Sequence, residues 1–392
     1  MWTRARGTQL VAAAAGLAIT ASACGGGGGT AAEGAEGVVS IGVIYPMSGP
    51  NAFVAEEMLN GLQIAIDEHN ETSAGAPEIK LLIEDDQSTA NTGVSAFQKL
   101  VDRDQVSAIV GPFNSDVAAA VAPLAETEGV PLIATGATAT HLIEADRKTF
   151  YRANSGNGLQ AVLTMQYVTE ELGWERVGFI YQETDWGEDL RNISRTELEE
   201  RGGTVAFDIA YPPGTTNFMT TATKIGGQDY DGIVVAALGG EAAPLVRQLT
   251  QAGVEAERIA GYSIDPDQML ENAGAEAIAG MYMSTPFDPW NDEFTNEVSK
   301  AFIEEYEGRH NSKPTLYAAQ GNLAGKLIAQ AVTIAGGGDR QAIMDALDEN
   351  RPIESVYGKI TLTENQDVEP PLLIQQFQAD GTPVTIGRVS ED

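Results

Sequence analysis

From Val38 onward two hydrophobic periods take turns along the chain, and that alternation leaves few folds open. The run "VVSIGVIY" is continuous and β-branched, as in a strand buried on both faces. After it Val54, Met58, Leu62 and Ile66 recur every four residues, the spacing of one helix face. "IKLLIED" repeats the strand pattern, and Val94, Phe97, Leu100 and Val101 then share a second helix face. "VSAIVG" with the helix after Ser115 forms a third unit, and "VPLIAT" from Val130 a fourth strand. Strands without a polar face, separated by helices, pack as a parallel sheet with helices on both sides.

A second series begins after "FYRANSGNG". Its predicted strands are "VGFIY", "TVAFDIA", "GIVVAAL", "RIAGY" and "GMYMS", with helices between the first four. Long helices are then expected over about 290–309 and 315–336, followed by strands at "KITLT" and "LLIQQF". The expectation is an α/β fold of two doubly wound parallel-sheet lobes joined by three hinge crossings, near Arg152, Ser284–Pro286 and Val356. Late helices follow two finished lobes, so each lobe is built from separate segments. Lobe 1 is expected to span 38–152 plus 286–356, and lobe 2 153–285 plus 357–392.

The start of the chain follows other rules. Arg4 and Arg6 precede an apolar stretch from Leu10 to Ile19 and the small residues Ala21-Ser22-Ala23. That is the layout of a secretory signal, too short for a lasting membrane span. Cys24, the only cysteine, follows at once, as in a lipoprotein signal with Ala21 where Leu is usual; cleavage after Ala23 leaving a free thiol is the alternative. Residues 1–24 are thus expected to be signal and anchor, and the Gly-rich 25–37 a tether reaching roughly 20 Å. Without a second cysteine the chain holds no internal disulfide. The formal net charge of −33 argues against nucleic acid or anionic lipid as partners.

Signals for catalysis are weak. His69, His141 and His310 lack the spacing of metal ligands. There is no G-x-S-x-G, and with Cys24 at the anchor no cysteine nucleophile remains. "GNLAGKL" has one spacer too few for a phosphate loop, and Leu327 stands where Ser or Thr should hold magnesium. "GNGLQA" matches G-x-G-x-x-A without an acidic residue ending the next strand at the expected place. "DPD" at 265–267 reads as a turn opening a helix rather than a calcium loop.

The turns after strands are more suggestive. "PMSGP", "GPFNSD" and "ATGATAT" follow the first, third and fourth predicted strands and therefore share one sheet edge. They carry hydroxyls at Ser48, Ser115, Thr135 and Thr138 but neither Arg nor Lys. An anion there would be held by neutral donors and a helix N-terminus.

The succession "MSGP", "EDDQST", "IVGPFNSDVAAAVAPLAETEGVPLI" and "YRANSGNGLQA" resembles the type I periplasmic binding proteins, in particular the leucine/isoleucine/valine-binding group of ABC importers. "GGTVAFDIAYPPGTTNF", "YDGIVVAALGGEAAPLVRQLTQAGV" and "YAAQGNLAGKLIAQAV" extend it, so the likeness runs from about Val38 to the end. It implies a non-catalytic receptor that closes its lobes on a small solute and hands it to a permease with its own ATPase, needing no cofactor or metal. It further implies that Ser115, Thr138 and the Gly136 backbone take the solute's carboxylate, that Trp186 closes over it, and that Phe53 and Tyr317 make apolar contacts. At the ammonium end the family's Tyr and acid correspond to Leu238 and Ser263, with Asp265 or Glu241 as possible substitutes. The expected ligand is a branched-chain or other apolar amino acid; the alternatives are an aromatic or short-chain acid, an amide or urea. A secreted nucleotide-dependent oxidoreductase using Gly156 and Gly158, and a sensor lobe for a signalling partner, are the rival functions. The protein is expected to be exported, monomeric and held at the outer face of the cell membrane by its lipid alone.

Overall fold

The computed structural model describes residues 37–144, 147–261 and 263–389. The predicted signal, Cys24 and residues 25–36 of the tether lie outside the described residues.

The first sheet holds β1 (Val38–Tyr45), β2 (Glu78–Asp85), β3 (Ala108–Val110), β4 (Leu132–Ala134) and β5 (Phe150–Arg152) in the order β2-β1-β3-β4-β5. Every pairing is parallel, so the strand ends at Tyr45, Val110 and Ala134 point to one edge. The order reverses between β1 and β3, and a crevice opens outside the carboxyl ends of such a pair. One face of this sheet packs on the helices Ala52–Thr72 and Leu316–Ala335, through Val43, Met58, Leu62, Leu323 and Leu327. The other packs on Ala90–Gln98 and Ser115–Glu128, through Phe97, Ile109, Val117 and Val121.

The second sheet begins with β6 (Arg176–Gln182), β7 (Thr204–Tyr211), β8 (Gly232–Ala236), β9 (Glu257–Ala260) and β10 (Tyr282–Thr285). A short hairpin of β11 (Ile353–Ser355) and β12 (Gly358–Ile360) stands apart from both sheets. The chain then adds β13 (Leu372–Phe377) and β14 (Pro383–Val389), giving the order β14-β13-β10-β9-β8-β6-β7. β6 to β10 run parallel, while β13 pairs antiparallel with both β10 and β14, so this sheet has a mixed edge that strand patterning did not foresee. Its reversal lies between β6 and β8. The architecture is the expected two-lobed α/β fold.

The helix Leu316–Ala335 accounts for the false phosphate-loop match. A Cβ on Gly61 would lie 1.8 Å from the Ala318 carbonyl oxygen, and one on Gly321 would lie 2.0 Å from that of Met58. The glycines of "GNLAGKL" let two helices touch backbone to backbone. "DPD" is likewise structural, because Asp265 caps the helix Pro266–Ala273 by accepting from the Gln268 N–H at 2.8 Å. The late helix expected from 290 begins at Glu297, behind an Asn296–Ser299 capping box and a short 3-10 turn at Asp292–Phe294.

Candidate functional site

The turn after β3 passes through Gly111, where the φ of +100° and the Ile44 carbonyl oxygen, 2.1 Å from where a Cβ would stand, admit no side chain. The helix Ser115–Glu128 then starts with Asn114 at the cap position, and the Asn114 side chain makes no capping hydrogen bond. The N–H groups of the first turn are left for an outside acceptor. The Ser115 hydroxyl is buried and accepts from the Ala139 N–H at 3.3 Å, which leaves its own proton free to donate. Thr138, on the same loop as Ala139, is 3% exposed and its hydroxyl has no partner among the described residues. Gly136 brings that loop against Phe113, whose ring would lie 2.2 Å from an added Cβ.

These groups open into a cavity with about 530 Å³ of space free of protein atoms, its mouth included. From the first lobe come Phe113, Ser115, Gly136, Thr138, Tyr317 and Gln320. The second lobe contributes Gln182 and Thr184 at the end of β6, Trp186, Leu238 and Ser263. Asn154 and Gln160 line it beside the first crossing. Burial pushes the Tyr317 hydroxyl far up, so it stays protonated. Asp116, at the rim, is the one charged lining residue among the described residues; desolvation pushes its carboxyl up, and it accepts from the Asp185 N–H at 3.3 Å.

The candidates from sequence divide as follows. Ser115, Gly136, Thr138, Trp186 and Tyr317 line the cavity together. Phe53 stands one ring behind, edge-on to Tyr317 at 5.9 Å. Asp265 lies against a neighbouring crevice shared with Tyr317, and burial raises its pKa to about 6. Glu241 is buried and reaches the cavity only through Gln182, whose Nε2 donates to it at 2.6 Å. Of the four hydroxyls at the sheet edge, Ser48 and Thr135 are turned elsewhere: Ser48 donates to Asp85 at 2.6 Å, and Thr135 is wholly buried against Met58 Sδ.

Sequence reasoning missed Gln160, Gln182, Thr184 and Gln320. The edge argument applied to the first sheet finds Gln182 and Thr184 when applied to β6; an amide inside a helix, as at Gln320, gives no local signal. It also missed Asp189, on the helix Asp185–Glu200 that carries Trp186. The Asp189 carboxylate accepts from the Thr140 N–H at 2.9 Å, the Thr140 hydroxyl at 3.0 Å and Asn157 Nδ2 at 2.9 Å. Asn157 also donates to the Trp186 carbonyl at 3.0 Å, so the Trp186 helix is tied to the loop that carries Thr138.

Behind that loop lies Arg152, fully buried at the end of β5. Its guanidinium engages both oxygens of Asp367, with Nη2 to Oδ2 at 2.6 Å, and Nη1 reaches the carbonyls of Ala137 and Ala139 at 3.4 Å. Gly156 of "GNGLQA" is the position where a Cβ would meet Arg152 Nη2 at 2.8 Å. That glycine makes room for an arginine.

Two reversed sheet edges facing one neutral, hydroxyl-lined cavity define a solute-binding fold. A family profile described as periplasmic binding protein matches residues 38–382, and the chain belongs to that family. A Leu/Ile/Val-binding protein homolog of Brucella abortus is 27% identical over 337 residues, covering 85% of this chain and 88% of its own. The crystal structure of a leucine-binding protein from Thermotoga maritima is 26% identical with a TM-score of 0.83, covering 90% of this chain and 98% of that one. An ABC-transporter solute-binding protein from R. palustris in complex with benzoate shares the fold at 20% identity and a TM-score of 0.82, covering 91% and 98%. The chain is a substrate-binding protein of an ABC transporter, related to the branched-chain amino acid binders, and not an enzyme. Among the described residues no helix is long and apolar enough to cross a membrane.

Proposed function

We propose that this protein is an exported, lipid-anchored receptor that captures a small carboxylate-bearing solute, first of all an apolar amino acid, and delivers it to an ABC permease. The observation that carries the reading is the uncapped start of the helix Ser115–Glu128 beside the Ser115 hydroxyl, which accepts from Ala139 and keeps its proton to donate, and the Thr138 hydroxyl, unpartnered among the described residues. Together they offer an anion several hydrogen bonds and the positive end of a helix dipole. Capture works by hinge bending about the three crossings. Asp189 with Thr140, and Asp116 with the Asp185 N–H, are contacts that form as the Trp186 helix comes down on the first lobe. The solute's binding energy shifts the population toward the closed form, which the permease reads. Cys24 is the site of lipidation, and its replacement is expected to release the protein from the membrane fraction.

The test is calorimetric titration with L-leucine, L-isoleucine and L-valine of the wild type and of the Ser115→Ala, Thr138→Ala double variant. Each hydroxyl bound to a carboxylate contributes about 1–3 kcal/mol, so the double variant is expected to lose at least tenfold in affinity. Equal affinity in the two proteins refutes the carboxylate assignment. A second reading, a receptor for an aromatic acid without an ammonium group, draws on Leu238 and Ser263 at the family's ammonium positions and on the benzoate-binding relative of the same fold.

A further inference from the structure

Beside the second crossing a narrow crevice runs between the lobes, separate from the ligand cavity and sharing only Tyr317 with it. One wall is Thr315, Leu316 and Tyr317, at the start of the helix that packs on the first sheet. Facing it are Ile264, Asp265 and Pro266, at the start of the helix Pro266–Ala273, which packs on the second sheet through Met269 and Ala273. Asp265 is 5% exposed, and its Oδ1 accepts from the Gln268 N–H at 2.8 Å. The Tyr317 hydroxyl has no partner among the described residues. The charges that bear on Asp265 are negative: Asp267 on its own helix, and Glu57 on the first-lobe helix Ala52–Thr72. Glu57 is fixed there by the hydroxyls of Tyr306 and Thr315, which donate to Oε2 at 2.7 and 3.1 Å. Lys313 donates to the Pro289 carbonyl on the crevice wall at 3.2 Å but pairs with Glu307 at 3.3 Å. A carboxylate of one lobe is thus held out of water within the field of a carboxylate of the other.

We propose that closure of the lobes takes up a proton at Asp265, so that this receptor holds its solute more tightly as its surroundings acidify. The proposal rests on the reading that capture closes the lobes. Parting them returns Asp265 to water and draws Glu57 away, and an exposed Asp ionises near about 3.9. In the closed form burial first, and then the charges of Asp267 and Glu57, push it up to about 6 against the Gln268 bond. The closed form therefore binds the extra proton between these values, and linkage makes acid favour closure. The effect is complete below about pH 4 and is lost as pH rises through 6. Asp116, His141 and Asp185 also meet across the lobes at the cavity rim, with His141 Nε2 3.7 Å from Asp185, and can titrate on closure as well. Asp265→Asn leaves those three in place, so the difference it makes belongs to Asp265.

Calorimetric titration at pH 6 in two buffers of different ionisation enthalpy counts the protons taken up on binding. The probes are L-leucine, L-isoleucine, L-valine and benzoate, whose own charges are constant near that pH. Asp265 is expected to take up about half a proton per solute bound at pH 6, and amino-acid affinity to rise about five- to tenfold from pH 7.5 to pH 5. Asp265→Asn keeps an oxygen for the Gln268 N–H and has the charge of the protonated acid. It is expected to remove that half proton, flatten the pH profile and bind about fivefold or more tighter than wild type at pH 7.5. A merely structural role would change affinity by the same factor at every pH. Three results overturn the proposal while leaving the receptor reading standing. They are no proton uptake by the wild type, uptake unchanged in Asp265→Asn, or a proton released on binding with affinity falling in acid. Binding of none of the four probes overturns both.

Discussion

Removing the negative half of the Arg152–Asp367 pair is expected to destabilise the whole body and loosen the ligand loop, and the two effects can be separated. Arg152 is fully buried and Asp367 is 9% exposed. In Asp367→Asn the guanidinium keeps one amide oxygen and the Ala137 and Ala139 carbonyls at 3.4 Å but becomes a buried charge without a counter-ion. Breaking such a pair costs about 3–5 kcal/mol. For about 350 folded residues the unfolding entropy is roughly 0.7 kcal/mol per degree, so the melting temperature should fall by about 4–7 °C. Replacing both partners with apolar side chains, Arg152→Met with Asp367→Leu, removes the unpaired charge and should recover most of that loss. The double variant lacks the ties from the guanidinium to the two carbonyls flanking Thr138, so its affinity for the carboxylate ligand should stay about tenfold reduced, worth about 1.4 kcal/mol. Thermal unfolding and calorimetric titration of the three proteins provide the check. A single variant within 1 °C of wild type, or a double variant no more stable than the single, would refute the reasoning about the pair. Wild-type affinity in the double variant would refute the role given to the loop.

Three further substitutions concern stability. Burial raises Asp265 to about pKa 6, against about 3.9 for an unfolded Asp, so the folded chain holds the extra proton in that interval. Its contribution is complete below about pH 4 and is lost as pH rises through 6. Asp265→Asn keeps a capping oxygen for the Gln268 N–H and removes the charge, so melting curves from pH 4 to 7.5 should show a flatter pH dependence and up to about 3 kcal/mol of added stability at pH 7. Asp86, also raised to about 6 by burial, should keep its own share of the slope in that variant. Gly321→Ala drives a methyl to 2.0 Å from the Met58 carbonyl and should cost about 1–3 kcal/mol or more in urea unfolding. Gly158→Ala, with nothing within 4 Å of the new methyl and a helical backbone, should instead add about 0.5–1 kcal/mol.

The strands with continuous apolar runs were legible because burial on both faces writes itself into every residue, as in β1, β6 and β8. β5 was not. "FYR" is three residues long and ends in an arginine, which local pattern reads as a crossing; its burial depends on Asp367, 215 positions later. β14 escaped for a different reason, being an edge strand whose residues alternate between half-buried and exposed, with a Pro at its start. The late helix was drawn too early because hydrophobic spacing was followed past "NEVS", where Asn296 and Ser299 form the cap. At the site, parallel strands placed three turns at one edge without revealing which hydroxyls turn inward. Ser48 is lost to Asp85, on the neighbouring strand, and Thr135 to Met58, on a helix; both partners are remote in sequence. The orientation of Gln182 was illegible for the same reason. A glutamine is a donor or an acceptor depending on what holds its other end, and Glu241 lies 59 positions from Gln182.

The charge distribution bears on the same choice of ligand from outside the cavity. The chain carries a net charge of −33, while the cavity wall has one charged residue, at its rim. A monoanion must approach against that field, whose reach at physiological salt is about 8 Å, before the helix N-terminus can act on it. An amino acid approaches with no net charge and meets no such barrier. Inside, the order of interactions reverses. A carboxylate at the start of the helix Ser115–Glu128 would meet N–H and O–H donors in place of that field. Among the described residues the only charged group lining the cavity is Asp116 at its exposed rim, so no charged side chain of the lining is buried there without a partner, which would cost several kcal/mol. The acidic surface therefore disfavours a free monoanion relative to a solute without net charge, which is the direction the proposed amino-acid reading requires.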